Sequence, residues 1–457
     1  MRRVVIIGAG LSGLSAAYRL GEMSPDTEVV LLEAAARAGG WVGTDERDGF
    51  LVERGADGFL DEKPAARALA RRLGIEHRMV GTRSSTGGAA IVHEGRLEPI
   101  PDGFSIMAPT RIRSALATRL LSPRGKLRML LEPFVPRGTG EDESLAAFAR
   151  RRFGREVAER LAQPLAGGIY GADPELLSLR ATMPRFQAEE AASGSVLLGL
   201  RRKARAQKVL AKGARYQLFA SFDRGMQVLV DALVAAVPPV RFGVSAREVS
   251  LLADGVMVRT EIGEITADGV ILAVSGRVAS RLLADPVLAG ALSEIGHGSA
   301  CTVALAYPKK DVPASVQGYG FVVPLREGRA SIAATYLSRK WPDRAPEGFD
   351  LLRVFLGGPS SPDLFGASDE ALVAAARREL AELVSLHADP LFASVHRSLH
   401  AMPQYLVGHL QRAQRIDDLV QRTPRLALAG NSLRGVGIPD AIASGESAAA
   451  RLLGFRG

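Results

Sequence analysis

Gly8, Gly10 and Gly13 constrain this chain more than any other residues, because they form a G-x-G-x-x-G turn between a short apolar run and a helical pattern. Residues 4–7 read as a strand and residues 14–20 as a helix, the setting in which such a turn binds a dinucleotide. Gly8 permits the tight turn, Gly10 leaves room for a pyrophosphate against the backbone, and Gly13 lets helix and strand pack closely. The free N–H groups and the positive dipole end of the helix then favour an anion. A second apolar run, residues 28–32, ends in Glu33, whose carboxylate can accept both ribose hydroxyls. That acid argues against a 2′-phosphate, and so against NADP.

A second glycine turn, Arg37-Ala38-Gly39-Gly40-Trp41, follows directly. From there backbone and Arg37 can reach the same pyrophosphate from the other side, which an NAD domain has no need to do, so FAD is the expected cofactor. Glu53-Arg54-Gly55-Ala56-Asp57 comes shortly after. The competing reading, a surface loop with spare glycines, stays open at this point.

With 457 residues, the chain predicts two or three domains. No apolar run reaches the length of a membrane span, and the most apolar helical stretch, residues 226–237, contains Asp231. The first strand begins at once and leaves no room for a signal peptide, so a cytoplasmic protein is expected. Cys301 is the only cysteine, which excludes intrachain disulfides and thiolate metal clusters; in its apolar run it reads as a buried, inert thiol. The seven histidines show no metal-ligand spacing, and no metal is expected. The formal charge is +9, and no acid occurs between Glu190 and Asp223. That interval holds Arg201, Arg202, Lys203, Arg205, Lys208, Lys212 and Arg215, which could attract a polycarboxylate or anionic lipid, or simply face water. Without aromatic interleaving or a binding module, nucleic acid is not expected.

Further along, residues 63–73 read as a helix, and residues 89–92 and 96–100 as a hairpin. From about 105 to 206 the pattern turns helical, with residues 143–153 and 155–165 repeating apolar positions at helical spacing. Gly167, Gly168 and Gly171 read as a break in that pattern, either a helix–helix turn or a close approach to a flat ligand. A helix over 226–237 and strands at 241–245, 256–260, 264–267 and 270–274 read as a return to the nucleotide domain, whose parallel sheet needs strands from distant parts of the chain. Strand-like runs at 302–307, 319–323, 331–336 and 351–356, with a helix over 369–386, predict a mixed sheet. A last strand, 425–429, leads through Gly435-Val436-Gly437-Ile438-Pro439-Asp440 into a small-residue helix, 441–453, whose N-terminus could stabilise negative charge on a reduced flavin.

Several segments carry a resemblance. Gly167-Gly168-Ile169-Tyr170-Gly171-Ala172-Asp173, Ser221-Phe222-Asp223-Arg224-Gly225-Met226-Gln227, Met402-Pro403-Gln404-Tyr405-Leu406-Val407-Gly408-His409 and Gly435 to Asp440, with the N-terminal motifs, cover nearly the whole chain. The sequence resembles the oxygen-dependent porphyrinogen oxidases of haem synthesis, in the FAD-containing amine oxidase superfamily. These oxidise protoporphyrinogen IX to protoporphyrin IX or, in a Gram-positive branch, coproporphyrinogen III to coproporphyrin III.

The resemblance implies an α/β protein with a split Rossmann-type FAD-binding domain (1–80, 207–295, 421–457), a mixed-sheet substrate domain (81–104, 296–420) and a helical insertion (105–206). This is the p-hydroxybenzoate-hydroxylase-like architecture. It implies flavin contacts at Gly8, Gly10, Gly13, Glu33, Arg37, Gly40, Trp41, Gly55, Ala56, Asp57, Ala246 through its backbone, Val436, Gly437 and Ile438. Gly168 would lie against the porphyrinogen, with Tyr319 and Tyr336 as walls. The implied chemistry removes six electrons, FAD accepting hydride three times and oxygen reoxidising it to hydrogen peroxide each time. No side chain is expected to act as catalytic acid or base. The resemblance leaves room for a homodimer and for peripheral contact of the helical block with a membrane; His409 is expected in a structural hydrogen bond.

One departure matters. Protoporphyrinogen-specific members place a propionate-binding arginine in the hairpin strand, where this chain has Ala89 and Ala90. Together with Trp341-Pro342, Ala345-Pro346-Glu347-Gly348 and Ile438-Pro439, this leans toward the coproporphyrinogen branch. An amine oxidase or carotenoid desaturase on the same scaffold, or a flavin-free escort of prenylated GTPases, remain the alternatives; the intact C-terminal flavin turn counts against the last.

Overall fold

The computed structural model describes residues 2–83, 88–138, 140–210, 219–358 and 361–454. It divides into two compact units. The first is Met1–Gly81, Gln217–His297 and Leu410–Gly457; the second is Thr82–Tyr216 and Gly298–His409. No helix among the described residues is long and apolar enough to cross a membrane.

The first unit is built on β1 (Arg3–Ile7), α1 (Leu11–Met23), β2 (Glu28–Glu33), β3 (Val240–Phe242), β4 (Gly269–Leu272), β5 (Leu426–Leu428) and α2 (Ile438–Gly454). The strands form a parallel sheet in the order β3-β2-β1-β4-β5, with Val4 opposite both Val29 and Gly269. Their unbroken apolar runs follow from burial on both faces. Val4, Ile6, Leu31, Ile271 and Ala427 pack toward α1, α2 and the helix Gln227–Ala236. Val5, Ile7, Val30, Leu32, Val270 and Leu272 pack on the opposite face, against Val249, Val256 and Val258 and the helices Gly276–Leu282 and Pro286–Ser293. Those three valines belong to a separate antiparallel sheet, Ala246–Leu251, Val256–Thr260 and Gly263–Ala267. Not all the strands of this region enter the parallel sheet. Only β3 and β4 do, because the hairpins pair locally and lay one apolar face over the sheet.

The second unit holds a seven-stranded mixed sheet, ordered Phe392–Pro403, His297–Pro308, Phe349–Leu356, Ser331–Tyr336, Gly320–Val322, Ala89–His93 and Arg96–Pro99. The helix Asp369–Val384 covers it through Leu372, Ala376 and Leu380, which pack with Val303, Leu305 and Val354. The rest of the described unit is a two-stranded ribbon, Phe104–Ser105 with Ala108–Pro109, and helices from Ile112–Ala117 to Val196–Leu210. Its centre is a buried ion pair between Arg152 and Glu132, whose carboxylate also accepts from the amides of Val196 (3.0 Å) and Leu197 (3.2 Å) and so caps the last of these helices.

The glycine segment departs from expectation. Gln163–Tyr170 is a continuous helix that ends at Gly171 in the left-handed conformation (φ 56°). Pro164 lacks the N–H that a regular turn requires, and Ala158–Ala162 before it widens into a π-helical turn. The helix survives Gly167 and Gly168, each costing about 1 kcal/mol relative to alanine, because Ala166 and Tyr170 are buried against neighbouring elements.

Candidate functional site

In the first unit, the carboxyl edge of the parallel sheet is lined by backbone rather than side chains. β1 runs into Gly8, whose φ of 102° only glycine adopts without strain and whose N–H donates to Leu32 O at 2.8 Å. Any β-carbon on Gly13 would overlap the carbonyl of Gly8 and approach Ala273 Cβ to 3.1 Å, so strand and helix meet there without a side chain. The N-terminus of α1 has no side-chain cap, which leaves its first amides available.

The second glycine turn folds onto the first. Gly39 N–H donates to Ala9 O at 2.8 Å, Gly10 and Gly39 form an isolated bridge, and a β-carbon on Gly40 would stand 3.3 Å from Gly10 Cα. Glu33 closes the floor, its carboxylate accepting from Ala9 N (2.7 Å) and Ala35 N (2.9 Å). Beside it, Val244 N donates to Glu33 O at 3.0 Å, which brings Ala246, at the start of the next strand, into the same neighbourhood.

Arg37 braces its own loop, donating to Ala38 O, Val42 O and Gly40 O at 3.0, 3.1 and 2.6 Å. Burial and the neighbouring Arg54 hold its guanidinium below the usual arginine range. Trp41 is half exposed, and its carbonyl lies where a side chain on Gly55 would be. Ala56 is exposed, while buried Asp57 accepts from Ser221 Oγ through its backbone carbonyl at 2.8 Å.

The far end of the chain reaches the same edge. Ala429 N donates to Leu272 O at 2.9 Å, and Gly430 turns the chain away from β5. Val436 and Gly437 then lead to Ile438 at the start of α2, and Gly437 N donates to Asp440 at 3.1 Å. Gly445 of α2 packs directly on the Ser12 backbone of α1. Sequence reasoning missed Lys63, whose Nζ lies 2.6 Å from Asp440, and named Glu53 only within its motif; buried, it holds with Thr44 the start of the helix Gln227–Ala236. The pairing of a charge with its opposite hundreds of residues away leaves no local signal. Bare backbone at Gly10 and Gly40, an open helix N-terminus and an acid at the end of β2 fit the pyrophosphate and ribose of FAD.

In the second unit, exposed Gly168 faces Val322, whose Cγ1 would lie 3.4 Å from a β-carbon there. A narrow cavity beside it is lined by Gln163, Gly167, Gly168, Val323, Leu325 and Ile332. Neither expected tyrosine lines it. Tyr336 is fully buried in the sheet core, edge-on to Phe321, and burial pushes its phenol well above the usual range. Tyr319 is half-buried and its hydroxyl donates to Arg83 O. His409 is buried and stacked on Tyr405, ring centroids 4.0 Å apart. Of the basic run, Lys212, Arg215 and the side chains of Arg205 and Lys208 lie outside the described residues; Lys203 pairs with Glu189.

Residues 11–453 match the family described as flavin containing amine oxidoreductase. A coproporphyrinogen III oxidase from Staphylococcus aureus is 34% identical over 99% of both chains. A chloroplastic protoporphyrinogen oxidase from Nicotiana tabacum is 28% identical over 99% of this chain and 85% of its own. Among solved structures, one from Exiguobacterium sp. 255-15, described provisionally as a protoporphyrinogen oxidase, superposes with a TM-score of 0.88 at 30% identity over 99% of both chains.

Proposed function

The chain belongs to the flavin containing amine oxidoreductase family, and from that premise we propose that it is an FAD-dependent porphyrinogen oxidase of haem biosynthesis, with coproporphyrinogen III as its preferred substrate. The observation that carries this reading is end-to-end similarity to a coproporphyrinogen III oxidase, joined to a glycine-lined nucleotide cradle that both ends of the chain complete.

FAD, when bound, supplies a two-electron acceptor, with oxygen as the oxidant that renews it. Gly8, Gly10, Gly13, Gly40 and the start of α1 would hold the pyrophosphate, and Glu33 the ribose. Val436 to Ile438, the start of α2 and the Ala246 backbone would hold the flavin. In the second unit, Gly168, Val323, Leu325 and Ile332 line a small, mostly apolar cavity, and the flat macrocycle would lie against the exposed Gly168 face. Residues 105–206 form the helical insertion. On it, Leu127 (59% exposed), Leu131 and Phe134 (83%) stand out among Arg119, Arg124 and Lys126, and the protein makes peripheral contact with anionic membranes there. Co-sedimentation with anionic vesicles, lost in Phe134→Ser, tests that contact.

The preference for coproporphyrinogen is supported by Ala89 and Ala90, which pair with Gly320 and Phe321 and leave no cation in that strand segment. Competition between coproporphyrinogen III and protoporphyrinogen IX, followed by porphyrin fluorescence, tests the reading. Faster loss of coproporphyrinogen is expected; a clear preference for protoporphyrinogen contradicts it.

A further inference from the structure

The turn between the strands Gly320–Val322 and Ser331–Tyr336 is braced at several points. Leu325 N donates to Gln163 Oε1 at 2.9 Å, tying the turn to the helix that carries Gly168. Glu327 accepts from Glu94 N (3.1 Å) and Gly95 N (3.2 Å), tying it to the turn of the Ala89–His93 hairpin. Arg329 pairs with Glu382 at 2.9 Å, and Ala330 N donates to Glu379 at 3.3 Å. Leu325 itself lines the cavity beside Gly168.

In the midst of these anchors stands Arg326, exposed and, among the described residues, without an ion pair or side-chain hydrogen bond. Glu156 feels its charge, but that carboxylate is already taken by Ser122 N (2.7 Å), Ser122 Oγ (2.6 Å) and Arg160 (3.3 Å). The braced turn fixes where the Arg326 backbone stands, and the planar guanidinium fork matches a carboxylate bidentately.

We propose that Arg326 binds a propionate that coproporphyrinogen III carries and protoporphyrinogen IX lacks, and so sets the preference for a tetracarboxylate macrocycle. This rests on the porphyrinogen reading. Coproporphyrinogen III carries four propionates and protoporphyrinogen IX two, so the loss of one cation falls more heavily on the first wherever this position meets a propionate that only the first possesses.

The test uses flavin-loaded full-length protein and the variants Arg326→Ala, Arg326→Lys and Arg326→Glu, each checked for flavin content and melting temperature. Removing one charge-assisted contact should raise KM for coproporphyrinogen III about tenfold in Arg326→Ala, with kcat within about twofold and KM for protoporphyrinogen IX changed about threefold or less. Arg326→Lys should recover part of the loss and Arg326→Glu deepen it. The wild-type KM for coproporphyrinogen should rise with salt more steeply than that of Arg326→Ala. Unchanged KM in Arg326→Ala and Arg326→Glu, equal loss on both substrates, or a fall in kcat at constant KM overturns the assignment while the enzyme reading stands. A wild type that oxidises neither porphyrinogen ends both.

Discussion

Replacing Gly445 with alanine should loosen the contact through which the C-terminal helix reaches the nucleotide turn. A β-carbon there would overlap the Ser12 carbonyl oxygen and come within 3.0 Å of Ser12 C and 3.1 Å of Ala16 N. All three are backbone atoms of α1, so no side-chain rotation relieves the crowding. Overpacking of this kind costs ~1–3 kcal/mol, and the rigid neighbours put Gly445 at the upper end. Alanine's helix propensity returns about 1 kcal/mol, leaving a net loss of about 2 kcal/mol. Gly21 of α1 is the matched control, exposed and with nothing within 4 Å of where a β-carbon would stand. Gly21→Ala should therefore stabilise by ~0.5–1 kcal/mol. Urea unfolding followed by circular dichroism, with flavin fluorescence reporting cofactor release, reads both effects. Because α2 starts at the turn proposed to hold the flavin, Gly445→Ala should also release flavin at lower urea. If it is as stable and retains flavin as well as Gly21→Ala, the convergence of the two chain ends is not what supports the cradle.

Two further substitutions probe other parts. Glu33→Ala removes an acid that accepts from Ala9 N and Ala35 N and that is proposed to hold the ribose, so FAD affinity measured by titration of the apoprotein should fall about 10- to 100-fold; unchanged affinity contradicts the assignment. In the helical block, burial acts to raise the Glu190 carboxyl, but the Arg151 hydrogen bond and the charges of Arg151 and Arg152 outweigh it and hold it below the ordinary range. Its folded pKa lies below the unfolded one, so its stabilisation is complete above the unfolded value, about 4.3, and is lost as pH falls through the lower folded value. Unfolding of wild type and Glu190→Gln should differ at pH 7 and converge as pH drops below about 4; a constant difference refutes that role.

The nucleotide cradle was legible because its determinants are local. Gly8, Gly10, Gly13 and Glu33 lie within one βαβ unit: Gly8 has a positive φ, a β-carbon on Gly13 would overlap the Gly8 carbonyl, and the Glu33 carboxylate accepts from the Ala9 and Ala35 amides. The cavity was less so. Gly167 and Gly168 read as helix breakers, yet tertiary burial of Ala166 and Tyr170 outweighs their propensity. Tyr336 read as a wall, but the ladder shifts register between Ser331 and Ala333, so Ile332 reaches the cavity while Ala334 and Tyr336 go to the core. Strict alternation would put all three on one face. The clasp between Gln163 and Leu325 joins residues 162 positions apart and leaves no periodic trace in the chain.

Electron transfer from porphyrinogen to flavin is tested most directly by anaerobic mixing of the flavin-loaded protein with coproporphyrinogen III in a stopped-flow instrument, following flavin absorbance and porphyrinogen oxidation together. The oxidised flavin colour should bleach in the same kinetic phase in which the porphyrinogen loses its first electrons, and return when oxygen is admitted. Flavin that stays oxidised in the presence of excess porphyrinogen would contradict the proposed function.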